Sequence, residues 1–236
     1  MDNIKNLTVI KGDASFRKFF RKKNKKFTSI LVFSKKEKFK NLIIYDSINK
    51  ILNKNKILAP NLYQENYDKN YIEIQDFGND TIFKILGKRK KNKFQYFKKV
   101  INILNQIQSI KNRNTINFKN KKYIIPKYGS KILFEEAKLF SKWYAPQKIL
   151  KANQLKFKKD YEKIIKILIK KLSLKNDVFV HRDFHISNLM LIKNKIGVID
   201  TQDALIGNRA YDIASLIDDV RFKTSNIFKE KLLDIY

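Results

Sequence analysis

Both histidines of the chain fall within eight residues, His181-Arg182-Asp183-Phe184-His185-Ile186-Ser187-Asn188. This stretch carries a carboxylate at Asp183 and an amide at Asn188, five positions apart, and a second carboxylate, Asp200, follows twelve residues later. Between them lie two short apolar segments, Leu189 to Ile192 and Ile196 to Ile199. Apolar runs of that length around a polar break read as a β-hairpin. A hairpin returns its end to its beginning, so the spacing predicts that Asp200 folds back beside Asn188. Any fold for this chain has to bring one loop and one hairpin together around those three side chains.

Phosphoryl transfer needs such a set. A carboxylate orients the attacking hydroxyl and takes its proton, while hard oxygen ligands hold Mg²⁺ on the phosphates. Asp183 fits the base, and Asn188 and Asp200 fit the metal ligands; oxygen donors suit Mg²⁺ over a transition metal. Asp203 reads either as a ligand of a second metal or as a solvated cap. His181 suits support of the loop backbone. His185 suits loop packing as well as a substrate contact. Asp212 reads as an anchor of the loop or a helix start.

The 236 residues suffice for one large domain or two small ones, and 43% hydrophobic content is globular. With no cysteine, disulfide frameworks and thiolate metal sites are excluded. No apolar run approaches the roughly 18–20 residues that span a bilayer, and the polar start, Met1 to Leu7, lacks a signal-peptide pattern. A cytoplasmic protein without membrane contact is the expectation. The formal charge of +30 raises nucleic acid as a partner. Yet that charge is nearly all lysine, spread along the chain among much Asn and Ile, and all three have A/T-rich codons. A biased genome explains the lysines, and attraction for anionic nucleotides remains either way.

Ser15 to Phe20 and Phe27 to Phe33 read as strands around a polar turn, Arg21 to Lys26. Lys36 to Leu52 has helical spacing, and Leu62 to Glu65 with Tyr71 to Gln75 read as a strand pair. Asp76-Phe77-Gly78-Asn79 marks a turn. Beyond it, helices are expected through Phe94 to Leu104, Leu133 to Tyr144 and Tyr161 to Leu172. Short strands follow at Val178 to Val180, Leu189 to Ile192 and Ile196 to Ile199, then a helix from Arg209 to Val220. The Lys/Asn tracts near Lys22, Lys88 and Lys119 read as exposed loops. Strands first and helices second imply an α+β, bilobal design with a cleft: residues 1–78 as a small antiparallel-sheet, nucleotide-binding lobe and residues 79–236 as a mainly helical lobe carrying the catalytic loop.

His-x-Asp-x-x-x-x-Asn, with an apolar strand and Asp a dozen residues on, resembles the catalytic loop and metal-binding Asp of the protein-kinase-like fold. Asp200-Thr201-Gln202-Asp203 in place of Asp-Phe-Gly is similar to the aminoglycoside phosphotransferase and choline kinase superfamily. Gly12 to Arg17, Gln75 to Asp80, Phe134 to Ala137, Trp143 to Pro146 and Arg209 to Leu216 are similar to a bacterial cell-wall-recycling branch, whose members are anomeric kinases of N-acetylmuramate and N-acetylglucosamine. The resemblance spans nearly the whole chain. It implies ATP or GTP and Mg²⁺ as cofactors, an amino sugar as acceptor, and a sugar-1-phosphate nucleotidyltransferase downstream in the same pathway. Gly12, Ser15 and Arg17 are implied to cover the phosphates, and Gln75, Asp76 and Phe77 to form the hinge that reads the adenine edge. Glu135, Glu136 and Trp143 are implied to line the sugar side, although without the resemblance an ordinary amphipathic helix and its packing is the preferred reading.

The chain departs from that family twice. The strand lysine that grips the α/β-phosphates is missing from Ser29-Ile30-Leu31-Val32-Phe33, with Lys35 and Lys36 just beyond. Related kinases also continue through further helices past the position of Tyr236, so either a short member or a truncated frame is expected. Two alternatives stay open: a kinase for another small acceptor (aminoglycoside, choline or ethanolamine, a homoserine-like metabolite), and an inactive basic RNA-binding protein on the same fold.

Overall fold

Seven consecutive residues of Thr28–Ser34, rich in β-branched and aromatic side chains, form the middle strand of the first sheet. The computed structural model describes residues 6–10, 17–34, 41–88, 92–172 and 175–236. Strands β1 (Leu7–Ile10), β2 (Arg17–Lys23), β3 (Thr28–Ser34), β4 (Leu62–Asn66) and β5 (Tyr71–Gln75) pair in the order β1-β2-β3-β5-β4, all antiparallel. Helix α1 (Asn41–Lys54) lies on this sheet: Leu42 and Tyr45 pack with Ile30, Val32, Ile72 and Ile74. Its next turns, Ile48, Ile51 and Leu52, enter the larger core with Phe97, Leu104 and Phe184. One helix therefore belongs to both cores and fixes the sheet to the rest of the chain.

The larger region begins with α2 (Ile82–Lys88) and α3 (Lys93–Gln108). In α3 the residues Phe97, Val100, Ile101, Leu104 and Ile107 recur at helical spacing and are fully buried. A small hairpin, β6 (Asn114–Ile116) with β7 (Lys122–Ile124), leads to α4 (Ser130–Leu139). A π turn over Phe140–Tyr144 and a 3₁₀ turn over Ala145–Gln147 connect α4 to α5 (Lys151–Lys171). Then come β8 (Asn176–Val180), β9 (Leu189–Ile192), β10 (Lys195–Val198), β11 (Leu205–Asn208), α6 (Ala210–Ile217) and α7 (Asn226–Asp234). β9 pairs with β10 and β8 with β11, both antiparallel. The C-terminal segment closes the core, the Phe228 ring standing edge-on to Phe97 at 5.3 Å between centroids.

Helices α4 and α5 contrast with the rest, because no residue of either is buried. They meet where the Tyr161 hydroxyl of α5 donates to the Ala137 carbonyl of α4 at 3.0 Å, and the Tyr161 ring lies 5.4 Å from that of Phe140 in the π turn. Leu139, Trp143, Tyr144, Ile164 and Leu168 face solvent. Among the described residues no helix is long and apolar enough to cross a membrane.

Several expectations change in detail. The tract near Lys22 is strand and not loop: β2 runs through Lys23, and Lys22 reaches across β3 to pair with Glu73 of β5 at 2.9 Å. Lys88 ends α2, while Lys119 does sit in the turn between β6 and β7. The helix expected over Leu133 to Tyr144 ends as α-helix at Leu139, and the one after Asp200 spans Ala210–Ile217. β1, α2, the β6–β7 hairpin, β11 and α7 are elements that periodicity alone did not indicate.

Candidate active site

Strand β8 delivers the chain into the loop at Val180, and His181 begins it fully buried. Its ring spans the loop and the end of the hairpin: Nε2 donates to the Ile199 carbonyl at 3.1 Å, and Nδ1 accepts the Asp183 N–H at 3.2 Å. Burial keeps this imidazole neutral, holding its pKa down at about 4. The expected backbone-supporting place of His181 is thus what its partners describe. From the other side, both oxygens of Asp212 on α6 accept loop amides, His181 at 2.7 Å and Arg182 at 2.9 Å. Asp212 is fully buried, and burial pushes its carboxyl up to about 7 against those two hydrogen bonds.

Arg182 has φ of 76°, a left-handed backbone unusual for a side chain of that size. Such a conformation costs about 1–2 kcal/mol, so its partners must hold it. They are Asp212 at the backbone, the Asp203 carbonyl at 3.2 Å, and an ion pair with Glu136 of α4. The turn at Arg182 sets the direction of Asp183. That carboxylate is half-buried and accepts no hydrogen bond from any described residue. Burial raises its pKa above the usual carboxylate range, and the charges of Asp200 and Asp203 push the same way.

A 3₁₀ turn, Ile186–Asn188, ends the loop. The Asn188 side-chain amide donates to the Asp183 carbonyl at 3.1 Å and lies 3.3 Å from His185 Nε2, which leaves its Oδ1 without a partner among the described residues. Lys193 and Asn194 then turn the hairpin with φ of 44° and 66°, the two-residue geometry that matches strand twist. Its return is fixed by the Ile199 N–H donating to the Asn188 carbonyl at 3.0 Å. Asp200 follows at once, itself left-handed with φ of 61°. The hairpin thus brings Asp200 back beside Asn188 as the spacing predicts, and Gly197 allows it a tight seat: a Cβ there would meet the Phe77 ring at 2.8 Å.

The first sheet and α1 reach the same point. Arg17, at the start of β2, donates to Asp200 Oδ1 at 2.9 Å with its side chain almost wholly buried. Asn49 of α1 accepts the Thr201 hydroxyl at 2.6 Å, both residues buried, and donates to the Pro60 carbonyl at 3.0 Å. Tyr45, one turn earlier on α1, is buried near enough to Asp200 that this carboxylate adds to burial in raising the phenol pKa. Asn49, Thr201 and Tyr45 escaped the sequence reading. The signal was present as polar residues on the inward face of a helix whose neighbours are Leu42, Ile48 and Ile51.

The other expected residues divide. Gly12 and Ser15 lie outside the described residues, as do Lys35 and Lys36. Gln75 ends β5, its side chain accepting from Asn61 at 3.1 Å. The Asp76 carboxylate is taken by Arg21 of β2, which reaches it at 2.6 and 3.1 Å and also holds Asn79 at 2.7 Å and the Gly78 carbonyl at 2.8 Å. That clamp pulls the Asp76 pKa below the usual range despite its burial. The Gln75 N–H also donates to the Asn61 carbonyl, at 2.8 Å. His185 is buried, with Nδ1 facing no partner, and it packs in the loop. Glu135 pairs with Lys138 at 2.9 Å, and Trp143 is 63% exposed with Lys142 over its ring at 5.3 Å. No hydrogen bond or ring contact among the described residues joins Glu135 or Trp143 to the loop. Glu136, in contrast, does reach it through Arg182.

The Asp183 carboxylate and the Asn188 Oδ1 therefore keep open acceptor sites near Asp200, whose Oδ1 takes Arg17 at 2.9 Å, while Asp203 accepts from the Gln202 amide at 2.8 Å. Among the described residues no cluster of three His, Cys, Asp or Glu side chains makes a metal cage. Magnesium bound through one or two carboxylates and substrate phosphates requires no such cage. The unpartnered Asn188 Oδ1 and the mutual repulsion of Asp183, Asp200 and Asp203 fit a hard cation between Asn188 and Asp200.

Residues 6–236 match the Phosphotransferase enzyme family. The chain belongs to that family. Among similar proteins are N-acetylmuramate/N-acetylglucosamine kinases of Neisseria meningitidis serogroup B, 23% identical over 90% of this chain and 61% of the relative, and of Pseudomonas putida, 25% identical over 90% and 59%. The chain spans about three fifths of the length of the curated relatives it matches. Similar solved structures include an ADP-bound aminoglycoside phosphotransferase APH(2'')-Ib, with a TM-score of 0.62 and 16% identity over 99% of this chain and 78% of that one. Another is a streptomycin–ATP ternary complex of APH(2'')-IIa, with a TM-score of 0.64 and 16% identity over 99% and 77%. These likenesses make the fold the α+β, protein-kinase-like arrangement expected from the sequence.

Proposed function

We propose that the protein is a Mg²⁺-dependent kinase of a small-molecule hydroxyl, with ATP (or GTP) as donor and an amino sugar such as N-acetylmuramate or N-acetylglucosamine as acceptor. One observation carries the reading: the Ile199 N–H bonds the Asn188 carbonyl at 3.0 Å while the Asn188 amide bonds the Asp183 carbonyl at 3.1 Å, so one short hydrogen-bonded path unites Asp183, Asn188 and Asp200. The amino-sugar acceptor is supported by the names of the relatives that match most of this chain.

In this reading Asp183 orients the acceptor hydroxyl and accepts its proton as the new O–P bond forms and the β,γ-bridging bond breaks, releasing the nucleoside diphosphate. Asn188 and Asp200 would hold Mg²⁺, with Asp203 available for a second ion, and the bound metal would supply charge neutralisation to the phosphates. Arg17, paired with Asp200, stands where a cation meets the phosphates, and it answers for the strand lysine absent from Ser29 to Phe33. Gln75 to Phe77 present backbone groups to the base. Most of the rate enhancement comes from positioning and charge neutralisation.

The test is transfer of label from γ-labelled ATP, with and without Mg²⁺, to a panel of N-acetylmuramate, N-acetylglucosamine, an aminoglycoside, choline and homoserine. Mg²⁺-dependent labelling of an amino sugar at its anomeric hydroxyl is the expected result. Labelling of another acceptor would keep the kinase and replace the substrate. Salt-steep RNA binding without transfer to any acceptor would overturn the proposal.

A further inference from the structure

We infer that Glu136 is a positioning residue for the catalytic carboxylate, acting through Arg182; this rests on the reading of Asp183 just given. Both carboxylate oxygens of Glu136 are committed. Oε1 accepts from the Arg182 guanidinium, and Oε2 accepts from the Tyr128 hydroxyl. Those two partners also meet each other, the guanidinium lying over the Tyr128 ring at 5.6 Å. Tyr128 is in turn fixed to the floor of the site: its N–H donates to the Ile206 carbonyl of β11 at 2.8 Å, and its ring stands against Tyr211 of α6 at 5.4 Å. β11 pairs with β8, the strand that feeds the loop.

Glu136 therefore closes a ring of contacts: α4 to Arg182, Arg182 to Tyr128, Tyr128 to β11 and back to the loop. Arg182 needs that closure. Its left-handed backbone is unfavourable for any residue with a side chain, and glycine alone would adopt it freely. Burial of the guanidinium works against its charge, and Glu136, with smaller help from Tyr211 and Asp203, raises the Arg182 pKa in spite of it. Relaxation of Arg182 to an ordinary φ would swing Asp183, the next residue, out of its direction. Each Glu136 oxygen already serves a donor that belongs to the loop or to its support, which ties this carboxylate to the position of the loop.

A double-mutant cycle with Glu136→Ala and Arg182→Gly separates these roles. Glu136→Ala is expected to lower kcat at least tenfold, with KM for the nucleotide unchanged within about twofold and faster amide exchange across His181 to Asp183. In the Arg182→Gly background, where φ of 76° carries no strain, the same substitution is expected to change kcat less than twofold. Equal losses in both backgrounds would overturn the inference, and so would a rise confined to KM for the acceptor, since that marks Glu136 as an acceptor contact. The exchange measurement and the coupling in denaturant midpoints need no turnover. An inactive wild type would defeat the kinase reading, while unaltered loop exchange in Glu136→Ala would defeat the clamp.

Discussion

The loop from His181 to Asp203 and the α4–α5 hairpin are two neighbouring parts of one chain under opposite constraints. On this loop three separate elements converge, α6 through Asp212, α1 through Asn49 and β2 through Arg17, and its own β9–β10 hairpin closes through Ile199. Its apolar side chains, Phe184, Ile186 and Leu189, are buried in the main core. In the hairpin no helical residue is buried, and its ion pairs are of the exposed kind, such as Glu135 with Lys138. Left-handed residues at Arg182 and Asp200 can persist because the surroundings over-determine them. The chemistry belongs to the heavily tied region, while the hairpin touches it through Glu136.

That contrast can be broken first at Asp183. Asp183→Ala is expected to reduce kcat by about 10³-fold, within the range typical of a positioned acid–base group, with the fold and nucleotide affinity kept. Turnover within tenfold of wild type, by the labelled-transfer assay, would remove Asp183 from its role. Next is Phe184→Ala. It empties a fully buried ring site at the base of the loop and should cost about 3–5 kcal/mol in denaturant unfolding.

A third test uses pH. In the folded chain Asp212 titrates at about 7 in place of the ordinary 3.8, so the folded state carries an extra proton and its contribution to stability fades as pH rises between those values. His181 acts oppositely: titrating at about 4 in place of 6.5, it contributes stability that is lost as pH falls across that window. The two slopes oppose each other between pH 4 and 6.5. Asp212→Asn leaves only that of His181, and its unfolding free energy should climb with pH more steeply than wild type, by up to about 1.4 kcal/mol per pH unit. Parallel pH profiles would show that Asp212 does not hold its proton. The smallest effect is expected in the hairpin, where Trp143→Ala should change stability by less than about 0.5 kcal/mol. A loss of several kcal/mol there would erase the contrast.

The same division governs what the sequence disclosed. The His181 to Asp200 cluster was legible because its chemistry is local: two short apolar runs and one turn determine where Asp200 returns. The sheet was legible where β-branched residues dominate, as in β3, and obscured where lysines occupy strand positions, as at Lys22, because its partner Glu73, two strands away on β5, is distant in sequence. Long-range partnerships were invisible for that reason. Nothing near Asn49 announces Thr201, and nothing near Arg21 announces that it claims the Asp76 side chain. Glu136 was placed on the sugar side by resemblance, and its pairing with Arg182 was hidden because helix periodicity gives the face of a residue and not its partner.

The central claim is that Asn188 and Asp200 hold the metal–nucleotide complex while Asp183 serves the acceptor. Calorimetric titration of a non-hydrolysable ATP analogue, with and without Mg²⁺, into wild type, Asp183→Ala and Asp200→Ala tests it most directly. The account predicts Mg²⁺-dependent binding that Asp200→Ala abolishes and Asp183→Ala retains. Unchanged Mg²⁺-dependent binding by Asp200→Ala would contradict it.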